Sequence, residues 1–280
     1  MSKKNIAIVT GASGGMGVEF VKLLTKKTEL DEIWIIARNA EKLERVKNKF
    51  GSKIKCFPMD LSDVAGIKKF GDNQELENCN IKYLINNAGF AKFCSYGDLS
   101  IDESVNMIDL NISSVVAMGL VCIPYMTQGS HIINIASQAA FQPLPYQNIY
   151  SSTKSFVRNY TRALNVELKD KGITATAVCP GWMKTGLFDR ALIGAKKATR
   201  NFVGMLTPDV VAKKAISDAD RGKDMSVYSA YVKMCHLIAK ILPQRVMMKV
   251  WLMQQKIKKA DNCEKECYNP IEKVKVKETE

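Results

Sequence analysis

A doubly wound α/β fold, a parallel sheet between two layers of helices with a basic helical extension after it, follows from three observations. Short apolar, β-branched runs alternate with helical patterns of ten or more residues as far as Cys179, which is the signature of repeated βαβ units. The first run opens onto a glycine-rich turn, Gly11 to Gly17 (GASGGMG), that leads directly into a helical pattern. The ends of six runs carry Gly11, Arg38, Asp60, Asn87, Ser137 and Pro180-Gly181. Right-handed crossovers bring such ends to one edge of the sheet, where ligands bind.

The elements follow in order. Asn5 to Thr10 (NIAIVT) is a buried strand, and after the glycine turn a helix runs through Val18, Phe20, Val21, Leu23 and Leu24. Strand, glycine turn and helix is the context a phosphate-binding loop needs. Glycines let the backbone approach a pyrophosphate, and the helix start offers free N–H groups and a partial positive charge. Glu32 to Ala37 is the second strand, with Arg38 directly after it and a helix over 39–50. Ile54 to Met59 is the third strand, ending in Asp60-Leu61, and a helix is expected over 63–78. Ile81 to Ile85 is the fourth, running into Asn86-Asn87-Ala88-Gly89, followed by a loop over 90–98 and one long helix over 101–126. His131 to Ala136 is the fifth strand, 149–171 a long helix stopped by Gly172, and Ile173 to Cys179 the sixth strand, ended by Pro180-Gly181. Residues 182–206 read as a mobile loop with short helices, and Thr207-Pro208-Asp209 starts another helix by capping and proline-first logic. Met225 to Tyr228 is a last strand. Residues 1–230 thus form one catalytic and binding domain, 231–259 a helical extension, and 260–280 a tail expected to be disordered.

Composition narrows the function classes. The 280 residues are 46% hydrophobic, enough for a large core. No run of about 18 uncharged apolar residues is present, and Ile6 to Val9 is too short for a signal peptide, so a cytoplasmic protein is expected. Six of the eight cysteines stand alone in apolar or strand-like surroundings, as reduced thiols do. Cys263 and Cys267 form a lone C-x3-C pair with no histidine near, so no metal site is expected. The two histidines, His131 and His236, lie outside any catalytic-looking loop, which disfavours a Ser-His-Asp hydrolase. The net charge of +13 is concentrated, since 231–259 holds seven Lys or Arg and no acid. No helix-turn-helix, zinc-finger or aromatic-basic pattern accompanies it, so nucleic acid is not the expected partner.

Residues 137–154, SQAAFQPLPYQNIYSSTK, carry the chemistry. Tyr150 and Lys154 stand four apart, on one face of a helix. A tyrosine with a pKa near ~10 is a poor acid or base at neutral pH. A neighbouring ammonium is expected to pull that pKa down. Ser137 adds a hydroxyl able to hold a carbonyl oxygen. The set suits proton transfer in alcohol and ketone chemistry.

These residues carry a resemblance. Thr10-Gly11-Ala12-Ser13-Gly14-Gly15-Met16-Gly17, Asp60-Leu61, Asn86-Asn87-Ala88-Gly89, Asn111, Ser137, Tyr150-x3-Lys154 and Pro180-Gly181 followed by Thr185 stand in the order and near the spacing of the short-chain dehydrogenase/reductase family. The chain resembles that family over about residues 4–230. The resemblance implies a Rossmann-type sheet and an oxidoreductase in which Tyr150 exchanges a proton with the substrate oxygen. Lys154 would lower the Tyr150 pKa and bond the nicotinamide ribose, Ser137 would position the substrate oxygen, and Asn111 would hold a water in a relay to Lys154. Asp60 would face the adenine, Asn87 the adenosine ribose side, and Thr185 the nicotinamide amide. Gly11, Ser13, Gly15, Met16, Gly17, Leu61, Ala88, Gly89, Pro180, Gly181 and Met183 complete the cofactor-binding set, with Tyr150 and Lys154. The cofactor supplies the hydride chemistry and the protein supplies position and a proton.

Arg38 decides between cofactors. NAD users place an acid at the end of the second strand, whereas this chain has Ala37 followed by Arg38. A guanidinium pairs bidentately with a 2′-phosphate, and Ser13 adds a hydroxyl, so NADP(H) is expected. Gly14 stands where many NADP members carry a second basic residue.

The substrate walls are expected from 90–96, 138–146 and 182–205, which hold Phe90, Phe93, Phe141, Leu144, Tyr146, Trp182, Met183, Leu187, Phe188, Phe202 and Met205. An apolar lining favours a bulky lipophilic alcohol or ketone, a hydroxysteroid or bile acid first, a 3-ketoacyl or small lipophilic ketone second. A non-catalytic NADP-binding scaffold is the remote alternative, disfavoured because Ser137, Tyr150 and Lys154 are all present. A homo-oligomer is expected. In 231–259, Leu237, Ile238, Ile241 and Leu242 share a face, and the pattern resumes after Pro243 with Val246, Met247, Val250, Trp251 and Ile257. This basic amphipathic pair reads as a lid or dimer contact, as a peripheral membrane contact, or as a solvated helix.

Overall fold

The computed structural model describes residues 3–184, 191 and 202–255. Thr185, Leu187, Phe188, Ile257 and the tail expected over 260–280 lie outside the described residues, as does most of the expected loop over 182–206.

Seven parallel strands form one sheet. They are β1 (Lys4–Thr10), β2 (Glu32–Ala37), β3 (Ile54–Pro58), β4 (Cys79–Asn86), β5 (His131–Ile135), β6 (Thr174–Val178) and β7 (Met225–Ser226), in the order β3-β2-β1-β4-β5-β6-β7. The order reverses direction between β1 and β4, which opens a crevice at their carboxyl ends. Side chains alternate across the sheet as the pleat requires. Val9, Ile33, Ile35, Ile85 and Ile133 enter one core with α1 (Gly15–Leu24), α2 (Ala40–Phe50) and α7 (Pro208–Asp220). Ile6, Ile8, Trp34, Ile36, Leu84 and Ile132 enter the other with α3 (Val64–Gly71), α5 (Ser114–Cys122) and α6 (Asn148–Glu167). Burial on both faces is why these strands read as continuous apolar runs. The expected three-layer, Rossmann-type fold is the observed one.

Three expected helices are shorter or interrupted. The helix expected over 63–78 stops at Gly71, and Asn73 caps a separate 3-10 turn over Gln74–Asn78 by accepting from Glu75 N at 3.1 Å. The long helix over 101–126 is α4 (Ile101–Ile108), a π-helical turn over Asp109–Ser113, then α5. By length and composition Ile101–Tyr125 could cross a membrane. It instead sends Asn111, Met118 and Cys122 into the protein interior. The helix expected over 149–171 is α6 plus a 3-10 turn over Lys169–Lys171, ended as expected by Gly172 at φ +65. The last strand covers only Met225–Ser226 of the expected four residues.

The extension forms α8 (Ala230–Ile241) and α9 (Gln244–Gln254), broken at Pro243, as the missing proline N–H requires. Both helices turn back onto the domain. Val232 packs against the Pro180-Gly181 turn, leaving 3.0 Å between its Cγ2 and the place a Gly181 Cβ would take. His236 stacks on Phe141 with ring centroids 4.0 Å apart, and Trp251 joins Ala139 and Leu144 in one apolar cluster.

Candidate active site

The glycine turn is held from both sides. Gly11 and Gly15 have φ of +64 and +54, which favour residues without Cβ. A Cβ on Gly17 would lie 2.3 Å from the Gly11 carbonyl oxygen. The Thr10 hydroxyl accepts from Asn87 N at 2.9 Å and Ala88 N at 3.0 Å. The Asn87 amide donates to Thr10 O and Gly11 O at 3.0 and 3.1 Å. Thr10 and Asn87 therefore clamp the ends of β1 and β4 together beneath the turn. Sequence reasoning placed Asn87 at a ribose and gave Thr10 no role of its own. The start of α1 has no side-chain cap and no acid in its first turn, so its N–H groups and positive dipole end face the crevice free for an anion. These features fit the pyrophosphate of a dinucleotide.

Cations stand at the end of β2. Arg38 is exposed and lies 3.8 Å from Asp60. Asp60 also accepts from Ser62 N and Oγ at 3.0 and 2.7 Å. Burial pushes its carboxyl up, but the Ser62 bonds and Arg38 outweigh this and hold it low. Asn39 caps α2 by accepting from Lys42 N at 2.8 Å, and Lys42 lines the same end of the crevice as Ser13, Gly14 and Arg38. Sequence reasoning missed Lys42, because the helix carries three lysines, Lys42, Lys47 and Lys49, and its pattern does not say which one faces the crevice. Leu61, Met16, Ala88 and Gly89 line the crevice beside them.

Ser137, Tyr150 and Lys154 come together where β5 ends and α6 begins. The Ser137 hydroxyl accepts from Ala139 N at 3.1 Å and lies close enough to the Tyr150 phenol to favour its charged form. Lys154 is 6% exposed, and its ammonium donates to Ile135 O at 2.7 Å, with its Nζ 5.9 Å from the Tyr150 ring centroid. Burial pulls its pKa down to about 8. Burial raises the Tyr150 pKa, and the Ser137 hydroxyl only partly opposes it. The expected net lowering of the phenol pKa is not seen in the protein alone. In the protein alone desolvation dominates, and the ammonium bonds a backbone carbonyl rather than the phenol oxygen.

Asn111, fully buried, sits on the π-helical turn, a feature that concentrates at functional sites. It accepts from Phe90 N at 3.0 Å and donates to Phe90 O at 3.0 Å and Thr153 Oγ1 at 3.1 Å. Its amide is thereby taken up in fixing the loop after β4 to α6, where the sequence reading had it holding a water. A Cβ on Gly89 would lie 2.9 Å from Asn111 Oδ1 and 3.4 Å from Lys154 Nζ, so a larger residue there would push on the Asn111 amide. Below the site Asn86 donates to Asn134 and Asn134 to Thr161, each at 2.9 Å. This buried ladder stiffens β4, β5 and α6 and had no sequence signal beyond polar residues in apolar runs.

A cleft of about 880 Å³ runs from the glycine turn past Tyr150 to α8 and α9. Phe93 stands edge-on to Tyr150 at 6.0 Å and to Trp182 at 5.8 Å, and Trp182 edge-on to Phe202 at 5.0 Å. Phe90, Phe93, Phe141, Leu144, Trp182 and Met183 line the cleft as expected, with Pro180 and Gly181 at its back. Tyr146, Phe202 and Met205 do not. Tyr146 is held in the left-handed region at φ +66, and Met205 is exposed. The side away from the glycine turn is completed by Met234, Ile238, Met247, Val250 and Trp251 of the extension. Their amphipathic spacing was legible, but not the surface they cover.

A family profile described as "short chain dehydrogenase" matches residues 5–193. An uncharacterized oxidoreductase of Staphylococcus aureus is 31% identical over 185 residues, covering 65% of this chain and 79% of that one. A very-long-chain 3-oxoacyl-CoA reductase of Danio rerio is 30% identical over 253 residues, 87% of this chain and 78% of its own. Among solved structures, a serine dehydrogenase complexed with NADP+ superposes with a TM-score of 0.71 at 28% identity, over 80% of this chain and 94% of that one. A short-chain dehydrogenase from Sphingobium yanoikuyae in complex with NADPH, at 24% identity, shares the fold with a TM-score of 0.70 over 92% and 100% of the two chains.

Proposed function

Because this chain belongs to the short-chain dehydrogenase/reductase family of oxidoreductases, we propose that it interconverts a secondary alcohol and a ketone on a bulky lipophilic substrate, with NADP(H) as cofactor. One observation carries the reaction class: Ser137, Tyr150 and Lys154 stand together on the floor of an apolar cleft, with Lys154 buried. A bound dinucleotide would supply the hydride in reduction and accept it in oxidation. In reduction the Ser137 hydroxyl donates to the substrate oxygen and fixes it. Tyr150 hands that oxygen its phenolic proton, and the Lys154 ammonium stabilises the phenolate left behind. Asn111 and Gly89 keep the loop after β4 at the distance the cofactor site needs. Phe93, Trp182 and Trp251 exclude water from the reacting oxygen.

Support for NADP(H) is the pair Arg38 and Lys42 at the end of a strand that lacks a terminal acid. Two cations there complement a 2′-phosphate, and β2 ends in Ala37 where NAD users carry the acid that bonds both ribose hydroxyls. Comparing kcat/KM for NADPH and NADH tests this, and equal or better use of NADH overturns it. Changing Tyr150 to Phe should cut turnover by about a thousandfold while NADPH still binds. Near-normal turnover would end the proposed mechanism, and cofactor binding without turnover by the native chain over a broad ketone panel would favour a scaffold.

The apolar lining of the cleft supports a hydroxysteroid or bile acid as the first reading. The likeness to a 3-oxoacyl-CoA reductase over most of the chain favours a second reading, a 3-ketoacyl substrate. Initial rates with steroid ketones, oxo bile acids and 3-oxoacyl thioesters separate them. We read the chain as cytoplasmic and self-associating through Ile101, Val105, Leu120, Phe156 and Val166, exposed apolar residues of α4, α5 and α6. Analytical ultracentrifugation tests the association.

A further inference from the structure

We propose that the outer face of α8 and α9 docks on an anionic lipid bilayer, so that the cleft opens toward the membrane. The α8 helix carries two adjoining apolar stripes. Met234, Ile238 and Leu242, four residues apart, line the cleft. Leu237 and Ile241, also four apart, do not, and they are 58% and 72% exposed. On α9 Met253 is 69% exposed, while Trp251 two residues earlier is buried against the domain. The helix pair therefore covers the cleft with one side and leaves large apolar side chains in solvent on the other, with the cleft-lining stripe between.

Charge selects the occupant. The exposed Lys233, Lys240, Arg245 and Lys249 surround this face, and neither helix contains an acid. Lys256, Lys258 and Lys259 continue the run in sequence. A second copy docking through the same face would set cations against cations, since a two-fold contact is self-complementary only where unlike groups meet. An anionic bilayer offers both what the cations and what the apolar residues need, lipid headgroups above an apolar interior. The docking does not depend on which substrate is turned over. That lipophilic substrate reaches Tyr150 from the bilayer rests on the proposed function.

The full chain is sedimented with vesicles of phosphatidylcholine alone and with vesicles that also contain phosphatidylserine. Binding to the anionic vesicles should be at least about tenfold stronger and should weaken with salt. The double variants Leu237→Ser with Ile241→Ser, and Lys240→Glu with Arg245→Glu, should each lower it about tenfold. Unchanged thermal melting and NADPH binding show that these variants are folded, whatever the substrate proves to be. Equal sedimentation with and without anionic lipid overturns the proposal. So does a vesicle-free dimer that Leu237→Ser with Ile241→Ser dissociates, because the face is then a contact between copies.

Discussion

Lys154 reaches past the Tyr150 ring to the end of β5, where its ammonium donates to the Ile135 carbonyl at 2.7 Å. The bond holds a buried cation in the floor of the cleft, and burial pulls its pKa down to about 8. Tyr150 is shifted the other way, upward by burial. The free site at neutral pH thus holds a protonated phenol beside a mostly charged lysine, the state that gives a proton rather than takes one.

A pH dependence follows. Ketone reduction needs the phenol protonated and the ammonium charged to stabilise the phenolate it leaves. Both conditions fail as pH rises, the lysine first. Reductive kcat/KM should be level near neutral pH and fall through about pH 8. Alcohol oxidation needs the phenolate beside the charged ammonium, so it should gain with pH up to about pH 8 and level off above it. Profiles in both directions with a water-soluble ketone and alcohol check this, and a reductive rate that climbs between roughly pH 7 and 9 contradicts it.

The same burial makes Lys154 costly to the fold. Its folded pKa of about 8 lies below the 10.5 of an exposed lysine. Between the two values the unfolded chain binds more protons, so stability should rise with pH across that window and be lowest below it. A depression of that size corresponds to about 3 kcal/mol. Replacing Lys154 by Met removes the penalty but leaves Ile135 O without its donor, so a net gain of about 1–2 kcal/mol is expected. Chemical denaturation at neutral pH measures it, together with loss of turnover. A destabilised Lys154→Met protein would mean that the ammonium supports the fold.

Much of the fold was legible because strands buried on both faces are continuous apolar runs, and the glycine turn announces the crevice. The interruptions were not. Asn111 sits on a π-helical turn whose partners, Phe90 and Thr153, lie 21 and 42 residues away, so no local pattern marks it. Trp251 reads as one more apolar residue of an amphipathic helix, yet its partner Pro145 is 106 residues distant. The spacing of Tyr150 and Lys154 was visible, but the direction of their pKa shifts depends on burial, which spacing alone does not contain.

In the glycine turn Gly14 is open and Gly17 is closed. Gly14 is extended, and a Cβ there would meet nothing within 4 Å. A Cβ on Gly17 would meet the Gly11 carbonyl oxygen at 2.3 Å. Gly14→Arg should fold normally and, by adding a cation near Arg38 and Lys42, raise the NADPH preference about fivefold, as an exposed charge-assisted bond of about 1 kcal/mol would. Gly17→Ala should abolish cofactor binding and destabilise by more than about 2 kcal/mol. Cofactor titrations and melting curves of the two variants separate these outcomes. Equal tolerance at both positions would mean that the turn is looser than its contacts indicate.

Trp251 ties α9 to the cleft wall. Its indole N–H donates to Pro145 O at 3.0 Å, and its ring packs with Ala139 and Leu144. Gln254 adds a bond to the Tyr231 hydroxyl at 3.1 Å, within the helix pair. Trp251 and Met247 are the buried apolar side chains of α9, so removing the indole should free this helix without unfolding the sheet. In Trp251→Ala the amides of α9 should lose protection from hydrogen exchange by about a hundredfold, matching the loss of about 3 kcal/mol that large core truncations bring. The amides of β1, β4 and β5 should stay protected. NADPH affinity should be unchanged, because the glycine turn and Arg38 lie at the other end of the cleft. The KM for a bulky ketone should rise about tenfold as an apolar wall is lost. If α9 and the sheet lose protection together, the extension belongs to the cooperative core and does not cover the cleft as a separable element.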